Sequence, residues 1–118
     1  MSEPLSLSPA NREWLLALAF VYLQQNHHKK ALTLLQATAK LCPEDAYVTR
    51  GLAFACLKAA RYKDALTLSD RSLRELGVKQ ETAPFLLIRS HALWALERPE
   101  EARKSLKKYH QLTRNSVV

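Results

Sequence analysis

The chain repeats itself. The segment KKALTLLQATAKL at 29–41 is echoed by KDALTLSDRSLREL at 63–76, and the shared ALTL begins at Ala31 and again at Ala65, 34 positions on. A third, weaker copy, EEARKSLKKYHQL at 100–112, carries its alanine at Ala102, 37 positions further, and the three extra residues fit in the polar connection Gly77–Thr82. A unit this short cannot bury its apolar face alone, so its stability has to come from stacking one copy on the next.

Each unit reads as a pair of helices. Leu15, Leu18, Ala19 and Tyr22, and then Leu32, Leu35 and Ala39, recur at the spacing that puts apolar side chains on one helical face. Only two of the 118 residues are glycine, which argues against a turn-rich β fold and against a glycine loop that cradles phosphate. Ser8-Pro9 is a helix start, with a capping hydroxyl before the residue best tolerated at the first helical position, and Thr82-Ala83-Pro84 opens a later helix in the same way. Pro43 follows a helix end, and Gly77 suits a left-handed C-terminal cap. The expected fold class is all-α, with six helices near 9–25, 28–41, 45–59, 62–76, 82–96 and 99–113. They form one domain over 9–113 in three repeats (12–45, 46–79 and 83–113), between a short leader at 1–8 and a tail at 114–118. Ala19, Ala31, Ala53, Ala65, Ser90 and Ala102 are small enough to let the two helices of each pair approach closely.

This pattern resembles the tetratricopeptide repeat. Counting from Arg12, the first unit places Leu15, Leu18, Ala19, Tyr22, Ala31, Leu35 and Pro43 at the motif positions. The second, from Ala46, has Leu52, Ala53, Tyr62 and Ala65, but Thr49 for the first large residue and Gly77 for the closing proline. The third, from Ala83, has Leu86, Ser90, Leu93, Ala102 and Leu106, and departs at Arg89, where an apolar residue is usual, and at Pro99, where an aromatic is common. The resemblance implies a right-handed superhelix whose first helices line a concave groove. Carried over by repeat position, the groove residues are Leu16, Phe20 and Leu23, then Tyr47, Arg50, Phe54 and Leu57, then Leu87, His91 and Trp94, with Glu13 and Pro84 at its ends. These residues are mostly apolar and suit an amphipathic helix or an extended hydrophobic segment. They do not provide the lysines and asparagines with which related repeats clamp a chaperone's acidic C-terminus.

Charge is placed unevenly. Of the net +7, residues 1–45 contribute nothing, with four basic and four acidic groups, while residues 46–118 carry fourteen basic and seven acidic ones. Arg103, Lys104, Lys107, Lys108 and Arg114 follow one another without an acid between them. That run reads either as a solvated last helix whose cations suit its C-terminal dipole, or as a footprint for nucleic acid or an acidic partner. The first reading is favoured because no groove-reading aromatics are interleaved, so nucleic acid is not an expected partner. Glu44-Asp45 and Glu100-Glu101 sit at helix starts, and Glu100 with Lys104 and Asp70 with Arg74 have i,i+4 spacing.

No active site emerges from the sequence. His27 and His28 are adjacent and diverge, and no metalloprotease, hydrolase or phosphate-loop motif is present. Cys42 and Cys56 lack a second pair to complete a zinc site and read as two reduced thiols serving as small core hydrophobes. No catalytic residue, metal or cofactor is expected. No apolar run reaches membrane-spanning length, and the start MSEPLSLSPANRE has neither a basic nor an apolar signal region, so the expected compartment is the cytosol.

Within the tetratricopeptide proteins, the first repeat, LSLSPANREWLLALAFVYLQQNHHKKALTLLQATAKLCPED, and the last, RSHALWALERPEEARKSLKKYHQL, resemble the YscY group of small bacterial type III secretion chaperones. That resemblance implies a cytosolic chaperone that holds a small secreted client, YscX-like, and presents it to the export gate. Sibling chaperones of needle subunits or translocators, or a general protein scaffold, are the alternatives. Self-dimerisation without the client is a further expectation, as is some cover for Leu106, Tyr109 and the Val117-Val118 end.

Overall fold

The computed structural model describes residues 8–114, in which six helices follow one another. They are α1 (Pro9–Gln24), α2 (His28–Leu41), α3 (Ala46–Lys58), α4 (Tyr62–Leu76), α5 (Ala83–Ala95) and α6 (Pro99–Arg114), with a 3-10 turn at Gln80–Thr82 before α5. The helices expected from sequence agree to within a residue at either end. Most of the leader, and Val117 and Val118 of the tail, lie outside the described residues.

Local chemistry explains where helices begin. The Ser8 hydroxyl accepts the Asn11 amide at 3.2 Å ahead of Pro9. One carboxylate oxygen of Asp45 accepts the amides of Tyr47 and Val48 at 2.9 and 3.3 Å, while the other pairs with Arg12 at 3.3 Å, which ties the start of α3 to α1. Thr82 does not cap α5 as expected. Its buried hydroxyl donates to the Gly77 carbonyl at 2.6 Å and accepts the Lys79 amide at 3.0 Å, so it binds the three-residue insertion into a closed turn. Gly77 has the expected positive φ of 86°, but its ψ of 163° is extended rather than left-handed helical, a region open essentially to glycine alone.

All three hairpin turns share one geometry. Asn26, Ala60 and Glu97 have φ of 62°, 61° and 62°, and they recur at the same intervals as the repeated alanines. After each, an amide reaches back five residues: His27 to the Tyr22 carbonyl (2.8 Å), Arg61 to Cys56 (2.8 Å) and Arg98 to Leu93 (2.9 Å). This closure satisfies the last carbonyls of the first helix and aims the second helix back along it. Only Asn26 is a residue type that signals such a turn.

Packing follows from the small residues. Ala19, Ala31, Ala53, Ala65, Ser90 and Ala102 are all buried, and the Ser90 hydroxyl donates to the Ala102 carbonyl at 3.0 Å, a direct measure of how closely α5 and α6 lie. Each helix packs on the next in sequence, and α1 and α5 also pack on α3. One core cluster joins Ala19, Leu23, Leu32, Leu35 and Cys56 to Ile88, and a second gathers Leu73, Phe85 and Leu86 with Tyr109 and Leu112. Tyr109 is therefore covered from within, whereas Leu106 is 37% exposed. The array measures 51 × 31 × 25 Å.

Arg89 explains how the third repeat tolerates a cation at an apolar position. Its Nε donates to Asp70 on α4 at 2.6 Å, another nitrogen donates to the Ser105 hydroxyl on α6, and a third lies 4.0 Å from Glu101. Asp70 thus pairs with Arg89, not with Arg74, and Glu100 pairs with Arg103, not with Lys104. Glu101 accepts a two-pronged contact from Arg98 at 2.8 and 2.7 Å, which, ahead of the charges of Arg89 and Lys104, holds its carboxyl below the usual range. Cys56 is buried as expected, and burial pushes its thiol up, whereas Cys42 is a half-buried residue at the end of α2 rather than a core residue.

Three outcomes follow for stability. Ala65→Leu should lower unfolding free energy by about 1–3 kcal/mol through overpacking, read by urea melts. Ala60→Gly, at an exposed left-handed position, should raise it by about 0.5–1 kcal/mol. Because the folded Cys56 thiol titrates above its unfolded value, its contribution is complete below the ordinary thiol range and is lost as pH rises through it toward the folded value. Melts at about pH 8 and about pH 10 should show a loss that Cys56→Ala reduces.

Candidate functional site

Helices α1, α3 and α5 form a wall, and an apolar groove of about 400 Å3 opens along it. From α1 come Leu16, Ala19, Phe20 and Leu23, from α3 Tyr47, Arg50, Gly51 and Phe54, and from α5 Pro84, Leu87 and Ile88, with Leu35 of α2 reaching in from behind. The side chains divide into floor and rim. Ala19, Leu23, Leu35 and Ile88 are buried in the first core cluster and make the floor, while Phe20 and Tyr47 are 50% and 53% exposed.

Gly51 keeps this floor open. A Cβ there would stand 3.0 Å from Leu16 Cδ2 and 3.5 Å from Leu35 Cδ2, tighter than ordinary contact at the first. Glycine within a helix costs about 0.5–1 kcal/mol relative to alanine, so its presence in the middle of α3 marks a place where space is needed.

The exposed Glu13 stands outside this groove, and of the other eleven residues carried over from the repeat resemblance, Leu16, Phe20, Leu23, Tyr47, Arg50, Phe54, Pro84 and Leu87 line it. Leu57, His91 and Trp94 do not. Leu57 packs half-buried against the first core cluster. His91 and Trp94 lie one and two turns beyond Leu87 on α5, where no further odd-numbered helix among the described residues supplies a facing wall. Trp94 is instead 61% exposed, with the Arg103 guanidinium 5.9 Å from its ring. Sequence reasoning missed Ala19, Leu35, Gly51 and Ile88 as lining, and the interior glycine was the signal that could have found Gly51.

The groove's electrostatics are one-sided. Two guanidinium groups stand over the Tyr47 ring, Arg12 at 4.7 Å and Arg50 at 5.2 Å from its centre, and Lys58 stands 5.6 Å from the Phe54 ring. Arg12 is already paired with Asp45. Arg50 makes no ion pair among the described residues. A second cavity of about 480 Å3 adjoins the groove across Tyr47, Arg50 and Pro84 and is bounded further on by Lys79 and Glu81.

Other parts of the molecule offer less. A cleft of about 780 Å3 between α2, α3 and α4 is bordered by charges of both signs, Lys40, Glu44, Arg71 and Glu75. Lys104, Lys107, Lys108 and Arg114 are exposed on α6, whereas Arg103 is engaged by Glu100 and Trp94. His27 stands edge-on to Tyr22, their ring centres 6.5 Å apart. Among the described residues, no group of three or more His, Cys, Asp and Glu side chains is placed to hold a metal ion, and no helix is long and apolar enough to cross a membrane.

The comparisons agree with this architecture. No curated protein matches the chain. Residues 12–55, which take in most of α1, all of α2 and most of α3, match the family model described as Tetratricopeptide repeat. Among the described residues the fold is all-α, six helices packed in sequence as three like hairpins, and it is over the first hairpin and the helix after it that the chain is similar to the tetratricopeptide repeat.

Proposed function

We propose that this protein holds an apolar, helical segment of another protein in the groove of α1, α3 and α5, and acts by binding rather than by catalysis. One observation carries the reading: Phe20 and Tyr47 stand half exposed over a continuous buried apolar floor that Gly51 keeps open. Isolated exposed apolar residues are ordinary, but a concave set converging from three helices is what a helix-in-groove interaction uses. Burying about 500 Å2 of apolar surface at about 25 cal/mol per Å2 would contribute on the order of 12 kcal/mol before the costs of association.

The resemblance of the first and last repeats to the YscY group supports a narrower reading, a cytosolic type III secretion chaperone. Its client would be a small secreted protein kept from assembling early and handed to the export gate. A needle-subunit or translocator chaperone has the same groove logic. A passive scaffold would join folded partners and leave the groove empty.

Phe20→Glu tests the groove with little loss of core, because this ring is half exposed. Wild-type protein purified from its native source should retain a stoichiometric small protein through about 0.5 M NaCl, since apolar contacts are little screened. The variant should lose that protein at unchanged helical circular dichroism. Retention of the client by the variant would rule out the groove as its seat.

A further inference from the structure

Arg50 is the one charged residue lining the groove, and it is half-buried there without a carboxylate among the described residues. A guanidinium drawn partly out of water against an aromatic ring loses hydration, and a hydrogen-bonded anion restores it. The neighbouring Arg12 shows the satisfied arrangement on the same ring: it stacks on Tyr47 and also binds Asp45. Arg50 has the stacking half of that arrangement and lacks the carboxylate.

We infer that the groove selects an acidic amphipathic helix of its partner, whose apolar face lies on Leu16, Phe20 and Phe54 and whose carboxylate docks on Arg50. This rests on the groove reading above and adds the partner's charge to it. Charge complementarity carries the choice of occupant. The groove and the adjoining cavity meet at Tyr47, Arg50 and Pro84, so a segment crossing from one to the other passes Arg50. Lys58 and Lys79 flank that path, and Glu81 is the one carboxylate bordering either cavity. Arginine is suited to the task, since its planar fork can meet a carboxylate with two hydrogen bonds while Tyr47 holds the plane from behind.

The test uses three synthetic helical peptides of about five turns with one shared apolar face. Their flanking positions carry glutamate, glutamine or lysine, and binding to the full chain is measured by calorimetry. The glutamate peptide should bind about tenfold more tightly than the glutamine peptide, an advantage that shrinks as salt rises. Arg50→Gln should reduce that advantage to less than about twofold, and Arg50→Glu should turn it toward the lysine peptide, with helical circular dichroism unchanged. Lys104→Gln, on α6, should leave the advantage intact. Equal binding of the glutamate and glutamine peptides to the wild-type chain would overturn the charge selection and leave the groove reading standing. An advantage that survives Arg50→Gln but falls with Lys104→Gln would overturn it in favour of the basic last helix. Binding of none of the three peptides would overturn the groove reading and this inference with it.

Discussion

Everything in this molecule depends on the distance between the two helices of each hairpin. Ala19 and Ala31, Ala53 and Ala65, and Ser90 and Ala102 occupy matching positions, and all six are buried. Small side chains there bring the backbones so close that a serine hydroxyl in α5 reaches a carbonyl of α6. The three hairpin turns enforce the same approach from outside, each with one residue at positive φ and an amide returning to the preceding helix. Ala60 and Glu97 hold that conformation without glycine, and the packing they direct outweighs the local cost.

Once the hairpins are tight, the odd-numbered helices share one side, and the groove is the consequence. Its floor belongs to the core, so Leu23 and Leu35 stabilise the fold and shape the site at once. Its rim does not, since Phe20 and Tyr47 keep about half their surface in solvent. The stacking of two guanidinium groups on Tyr47 places positive charge at the point where the groove meets the adjoining cavity. A groove that is apolar along its floor and cationic where it meets the adjoining cavity would select more narrowly than either property alone, because any occupant would have to satisfy both.

The third repeat shows how the array absorbs departures from its own pattern. Arg89 replaces an apolar contact with a polar clamp from Asp70 on α4 to Ser105 on α6, so it still joins three helices. Thr82 turns its hydroxyl back on Gly77 and Lys79, which closes the longer connection and lets α5 start where the groove needs Pro84 and Leu87. Ser69 stands 34 positions after Leu35 and is just as completely buried, so the middle repeat packs a small side chain where the first packs a large one. The repeats are alike in backbone geometry and differ in how they fill it.

The sequence by itself determined the number of helices, their bounds and their pairing. These follow from local properties, namely apolar periodicity, caps, and small residues recurring at 34 and 37 positions, and local properties act before distant parts of the chain meet. Repeat position also pointed to eight of the residues that line this cavity, Pro84 among them, since it specifies which way a side chain faces on its helix. Only the tertiary structure decided that Leu57, His91 and Trp94 stand apart from that groove. For His91 and Trp94 the reason is that a groove needs two facing walls, and whether α5 has a neighbour on each side is a property of the stack, while Leu57, on α3 between two such helices, is taken up by the first core cluster. It likewise decided the partners of Asp70 and Glu100, because spacing along one helix reveals neither Arg89 arriving at Asp70 from the next helix nor which of Arg103 and Lys104, at i+3 and i+4, meets Glu100. The left-handed turns at Ala60 and Glu97 belong to the same class, set by the closure of the hairpin against the intrinsic preference of the residues that make it.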